Sequence, residues 1–157
     1  MADHTETIQI DFDPGVISYR ELLALFWASH NPCARAWSRQ YMSAIFVSDE
    51  AQRVAAEESA RAVGAERGQD VTTVVMQLEE FHLAEAYHQK YSLRRLGLVT
   101  DEFEAMYPAL DAFVRSTAVT RANGIAAGNI EREAYAAIAD DLGLSSTARA
   151  ELGGRVR

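Results

Sequence analysis

Residues 42–78 constrain this chain most. Met42-Ser43-Ala44-Ile45-Phe46-Val47-Ser48 is a short apolar run of the length and composition of a buried strand. Asp49 then opens an alanine-rich stretch with Glu/Arg pairs, which reads as a helix to about Gly64. After a polar turn at 64–70, residues 71–78 carry Thr72, Thr73, Val74 and Val75 and read as a second strand. Strand, helix, strand in that order must bury its apolar faces in layers.

The flanking segments extend the pattern. In residues 6–12, Ile8, Ile10 and Phe12 alternate with Thr7, Gln9 and Asp11, which predicts a half-buried strand. Asp13-Pro14-Gly15 ends it in a turn. Ser18-Tyr19-Arg20-Glu21 has the form of a capping box, so a helix runs from there to about His30, burying Leu22, Leu25 and Phe26 with Leu23 and Trp27. Asn31-Pro32 stops it and residues 31–40 form a loop. Residues 83–95, with Tyr87, His88 and Tyr91, read as helical.

From Gly97 the character changes to helices at 100–115, 131–142 and 146–153. Phe103, Met106, Leu110 and Phe113 form one apolar stripe, interrupted at Pro108. Ile130, Ala134, Ile138 and Leu142 form another, closed by Gly143, and Ser145 caps the last helix. The order predicts an α+β or α/β layer with a helical tail.

Composition then excludes whole classes of function. No apolar run approaches the roughly 20 residues of a membrane span, and the polar, acidic start has no signal-peptide pattern. A soluble cytoplasmic protein is the expectation. The net charge of −8 argues against a nucleic-acid surface, and Lys90, Arg94 and Arg95 read as a solvated helix face. One cysteine, Cys33, allows neither an internal disulfide nor a multi-thiolate zinc site. His4, His30, His82 and His88 lack the spacing that puts two imidazoles on one helical face, so no metal is expected.

Three features could carry chemistry. Glu6 opens the first predicted strand beside His4. A carboxylate there can act as a general acid, although on pattern alone it reads more simply as a solvated terminal acid. Trp37-Ser38-Arg39-Gln40-Tyr41 puts an aromatic ring, a guanidinium, an amide and a phenol immediately before a strand, where sites are built. The phenol can donate to a ligand oxygen, or simply pack under the loop. Cys33 follows a helix C-terminus, whose dipole disfavours a thiolate, so it reads as an idle thiol with Arg35 nearby.

Taken in order, these pieces resemble one family, the A-type peptide methionine sulfoxide reductases. The resemblance rests on four stretches: His4-Thr5-Glu6 with the segment to Asp13-Pro14; Ile17-Ser18-Tyr19 through Phe26-Trp27 and His30-Asn31-Pro32; Gln40-Tyr41-Met42-Ser43-Ala44-Ile45; and Ala84-Glu85-Ala86-Tyr87-His88-Gln89-Lys90-Tyr91. It covers about residues 3–95, and Ser116-Thr117-Ala118 and Arg121-Ala122-Asn123-Gly124 are similar to a subgroup with a longer C-terminus. The resemblance implies thiol-dependent reduction of methionine S-sulfoxide, in proteins or free. A cysteine attacks sulfur, a carboxylic acid protonates the departing oxygen, tyrosines hold that oxygen, and thioredoxin recycles the enzyme as external reductant. No bound cofactor is implied. Glu6 would be the acid and Tyr41 an oxygen-holding phenol.

The implied fold is a two-layer ferredoxin-like plait (split β-α-β), with residues 1–95 a partial reductase domain and 96–157 a helical C-terminal extension packed on it. Several departures bear on activity. The family's Gly-Cys-Phe-Trp motif, with its nucleophile and aromatic wall, and a second tyrosine are absent from the 157 residues. The plait is expected without its first strand and helix. Ala36 stands where an aspartate is common, and Cys33 where threonine is common. The expectation is a reductase-family chain inactive alone. The alternatives are a non-catalytic descendant that binds oxidised methionine or a partner protein, and a chain in which Cys33 is a replacement thiol.

Overall fold

A computed structural model describes residues 4–157, and the chain divides into two compact units, Met1–Phe81 and His82–Arg157. The first unit has both α-helix and sheet, the second is helical, and the chain is α+β.

In the first unit, helix α1 (Tyr19–Ala28) begins at the predicted capping box. The Ser18 hydroxyl accepts from the Glu21 amide, and the Glu21 carboxylate accepts from the Ser18 amide at 2.8 Å. Strand β1 (Ala44–Val47), helix α2 (Glu50–Arg67) and strand β2 (Val74–Gln77) follow. Asp49 caps α2 by accepting from the Gln52 amide, and Gly68 ends it in a left-handed conformation at φ 62°. The two strands pair in parallel, Ala44 opposite Val74 and Val47 opposite Gln77. Leu23, Trp27, Ile45, Val47 and Ala56 form the core, with α1 packed on α2 and α2 on the sheet. The Trp27 indole N–H donates to Ser59 Oγ at 2.9 Å, which in turn donates to the Ala56 carbonyl. A buried indole thereby keeps its hydrogen bond.

The strand expected over 6–12 does not form. The segment is irregular, with Ile8 81% and Ile10 53% exposed. Alternation makes a strand only when a ladder partner takes its amides and a core takes its apolar face, and neither is present for Ile8 and Ile10. The turn after it does form: the Asp13 carboxylate accepts from the Gly15 amide and its carbonyl from Val16 and Ile17.

The second unit contains α3 (Gly97–Met106), α4 (Leu110–Arg115), α5 (Thr117–Ala126), α6 (Arg132–Ile138) and α7 (Ser146–Gly153). Leu93, Leu96, Val99, Phe103, Phe113, Val119, Ala122, Ile125, Leu142, Leu144, Ala148 and Leu152 make its core. Pro108 separates α3 from α4 as predicted, and Ser145 caps α7. Of the first predicted stripe, Phe103 and Phe113 are buried, while Met106 and Leu110 stay about 40% exposed.

The helix expected over 83–95 is instead two single 3₁₀ turns, Ala86–His88 and Leu93–Arg95, with Lys90 between them at φ 54°. Side chains take the backbone groups a helix would have used. The Leu93 amide donates to Asn123 Oδ1 at 3.1 Å, and the Leu93 carbonyl accepts from the Thr100 hydroxyl at 3.0 Å. Burial of Leu93 and Leu96 anchors this arrangement, so the compact unit starts at His82, ahead of the change of composition at Gly97. Lys90 and Arg94 are not a free solvated face. Lys90 Nζ donates to Thr120 Oγ1, and Arg94 pairs with Glu104 and lies over the Phe113 ring.

Candidate functional site

The loop before β1 and the segment around Glu6 are joined at two adjacent residues. The Glu6 amide donates to the Gln40 carbonyl at 2.9 Å, and the Thr5 hydroxyl to the Arg39 carbonyl at 3.2 Å. These bonds carry Glu6 across a sequence separation of 34 residues to the side of Tyr41.

Gln40 links the two side chains. Its Nε2 donates to Glu6 Oε1 at 2.8 Å and to the Tyr41 hydroxyl at 3.3 Å. The Trp37 ring stacks on Tyr41, with centroids 4.9 Å apart and planes inclined by 29°. Glu6, Gln40, Tyr41 and Trp37 are all exposed, Trp37 at 82%. A carboxylate, a phenol and an aromatic face therefore meet at one accessible place. A phenol O–H and a carboxylic acid both donate to an oxygen, and the indole offers an apolar surface beside them.

The structure thus brings Glu6 and Tyr41 together and leaves Cys33 apart from them in its bonding. Cys33, half-buried, donates its amide to Asn31 Oδ1 at 3.2 Å, inside a turn tied to the start of β2. The Pro32 carbonyl accepts from the Thr72 and Thr73 amides, and the Ala34 carbonyl accepts from the Thr72 hydroxyl. His30 belongs to the same anchor. Its Nδ1 faces the Phe26 carbonyl at 2.8 Å, which can only accept, so Nδ1 carries a hydrogen, and Nε2 is hydrogen-bonded with the Thr73 hydroxyl at 3.2 Å. Ala36, in the place of the expected aspartate, is exposed and carries no polar group.

Sequence reasoning named Gln40 only as an amide in a loop and missed that it bridges two candidate residues. The one available signal was its position directly before Tyr41. Among the described residues no three His, Cys, Asp or Glu side chains gather as metal ligands, and no helix is long and apolar enough to cross a membrane.

Comparison with known proteins follows the same residues. The family model described as peptide methionine sulfoxide reductase matches residues 1–122. A peptide methionine sulfoxide reductase of Drosophila melanogaster is 38% identical over 151 residues, covering 95% of this chain and 60% of the fly protein. Peptide methionine sulfoxide reductase MsrA of Streptomyces griseus is 42% identical over 102 residues, 58% of this chain and 46% of that protein. Peptide methionine sulfoxide reductase A5 of Arabidopsis thaliana is 35% identical over 133 residues, 81% of this chain and 52% of that protein. The chain spans about half the length of the curated relatives it matches.

Proposed function

This chain belongs to the peptide methionine sulfoxide reductase family, and we propose that it carries the oxygen-handling half of a site that reduces methionine S-sulfoxide, in proteins or free. The observation that carries this reading is the Glu6–Gln40–Tyr41 cluster, in which an acid and a phenol are held by one amide. Tyr41 donates to the sulfoxide oxygen and Glu6 protonates it. The Trp37 face gives the thioether flank an apolar surface of the kind sulfur favours.

The reaction has a simple balance. A thiolate attacks the sulfoxide sulfur, the oxygen takes the acid's proton, and hydroxyl passes to the thiol sulfur. The products are methionine and a sulfenic acid, so the sulfoxide is reduced and the thiol oxidised. A second thiol condenses with the sulfenic acid, releasing water and forming a disulfide, which thioredoxin reduces. The nucleophile is assigned to a Gly-Cys-Phe-Trp segment that these 157 residues do not contain, and not to Cys33. The fold is assigned to the family's ferredoxin-like (split β-α-β) plait, within which β1-α2-β2 is a parallel unit whose strands pair directly.

Two measurements on the 157-residue chain test this. Titration with N-acetyl-methionine S-sulfoxide amide should shift the amide resonances of Glu6, Gln40 and Tyr41, and the R-sulfoxide should shift them less. A thioredoxin-coupled assay of the same protein should give no turnover. Shifts clustered away from these residues would defeat the site assignment. Turnover abolished by Cys33→Ser would show that Cys33 is the nucleophile after all.

A further inference from the structure

We propose that Gln40 is the positioning residue of this site and fixes which groups in it donate. The inference rests on the reading of Glu6 and Tyr41 given above, and deepens it.

The side-chain amide has one donor end and one acceptor end. A carboxyl oxygen that bears no hydrogen only accepts, whether or not the other oxygen carries a proton, so the NH₂ end faces Glu6 Oε1, and the 2.8 Å contact from Nε2 to Oε1 has that orientation. The same nitrogen carries a second hydrogen, and the Tyr41 oxygen lies 3.3 Å from it. An amide nitrogen donates and never accepts, because its lone pair is delocalised into the carbonyl. The Tyr41 oxygen then receives from Gln40, and its own O–H is left to donate outward. Oε1 of Glu6 is likewise occupied, which leaves Oε2 to carry a proton to a bound oxygen. One amide therefore turns two ambivalent groups into a donor pair suited to a ligand that only accepts, as a sulfoxide oxygen does.

The backbone of the same residue acts separately. Its carbonyl receives the Glu6 amide at 2.9 Å, so the segment stays attached when the side chain is changed. That separation lets the amide's effect be measured without dismantling the site.

The test begins without ligand. In ¹⁵N-labelled protein, Tyr41→Phe should move one of the two Gln40 side-chain amide proton resonances, and Glu6→Ala the other. In the second step, Gln40→Leu should weaken binding of N-acetyl-methionine S-sulfoxide amide by roughly 5- to 10-fold, about one hydrogen bond's worth, with an unchanged thermal midpoint. Gln40→Glu, which replaces the two hydrogens by acceptors, should weaken it further. Amide resonances that move in neither variant would overturn the proposal, as would wild-type affinity in Gln40→Leu. Should the wild-type chain fail to bind the probe while the two resonances move as stated, the Gln40 arrangement stands and the functional reading of the site falls.

Discussion

Tyr19 illustrates how one polar atom can work against the residue that carries it. Its ring packs against the first unit's core, yet its hydroxyl is buried with no hydrogen-bond partner among the described residues. An unsatisfied buried hydroxyl costs more than an absent one. Tyr19→Phe is therefore expected to be neutral or to stabilise by up to about 1 kcal/mol, read as the urea midpoint. A loss of more than that amount would show that the hydroxyl has a partner. Burial, and then the nearby Asp49 charge, push the phenol's pKa up. A raised pKa means the folded state holds its proton longer than the unfolded chain, so Tyr19 contributes stability that is lost as pH climbs above the ordinary value near 10. The Phe variant should lose less stability between pH 9 and 11 than the parent does.

The same scale shows what could be read of the site beforehand. Glu6 and Tyr41 were nameable because a carboxylate and a phenol are chemically capable wherever they sit. Their meeting is implied only by the family resemblance, because it depends on a bond between residues 34 positions apart, and no local pattern encodes such a separation. Glu6 reads as solvated from its pattern and is exposed, whereas the exposure of Tyr41 is a property of the folded surface.

Among the elements, those with caps were legible. Ser18, Asp49 and Ser145 each accept from an amide two or three residues into a helix, and each helix starts where its cap residue stands. Helix α5 has its own cap at Ser116 and buries Val119, Ala122 and Ile125, although residues 116–126 carry no predicted helix. The 83–95 segment failed for a different reason. Its helical pattern is overruled by Asn123 and Thr100, which take the Leu93 backbone groups from outside the segment. Gly68 gives a clean test at this scale. It sits at φ 62°, and a Cβ there would meet nothing within 4 Å, so Gly68→Ala carries a conformational cost alone. We expect a loss of about 1 kcal/mol in the denaturant midpoint. No loss at all would mean that the α2 terminus relaxes into a right-handed end.

For the whole molecule, acidification acts first through dispersed charge and then through direct bonds. The chain carries a net charge of −8 at pH 7, so protonation down to the isoelectric point near 5.0 relieves mutual repulsion, and below that point further protonation builds net positive charge that disfavours the folded state. Beside this stand two carboxylates, one in each unit, whose serine partners hold them below their ordinary pKa. Glu21 is held by the Ser18 hydroxyl and amide, and Glu102 by the Ser145 hydroxyl and amide. A depressed pKa contributes stability that is present above the unfolded value and lost as pH falls through the folded one. Repulsion among dispersed surface charges is screened over a Debye length of about 8–10 Å at ordinary salt. The serine–carboxylate bonds are direct contacts and escape most of that screening. Stability is therefore expected to fall as pH drops from 4.5 toward 3, and to fall less steeply in a Glu21→Gln, Glu102→Gln double variant. Glutamine can still fill the third position of the Ser18 capping box, and at position 102 its amide oxygen can still accept from the Ser145 amide, so that variant should fold normally at pH 7. Thermal midpoints at 0.15 M salt across this range check it. Parallel slopes for parent and variant would assign the acid response to dispersed charge and remove the two serine–carboxylate bonds from the account.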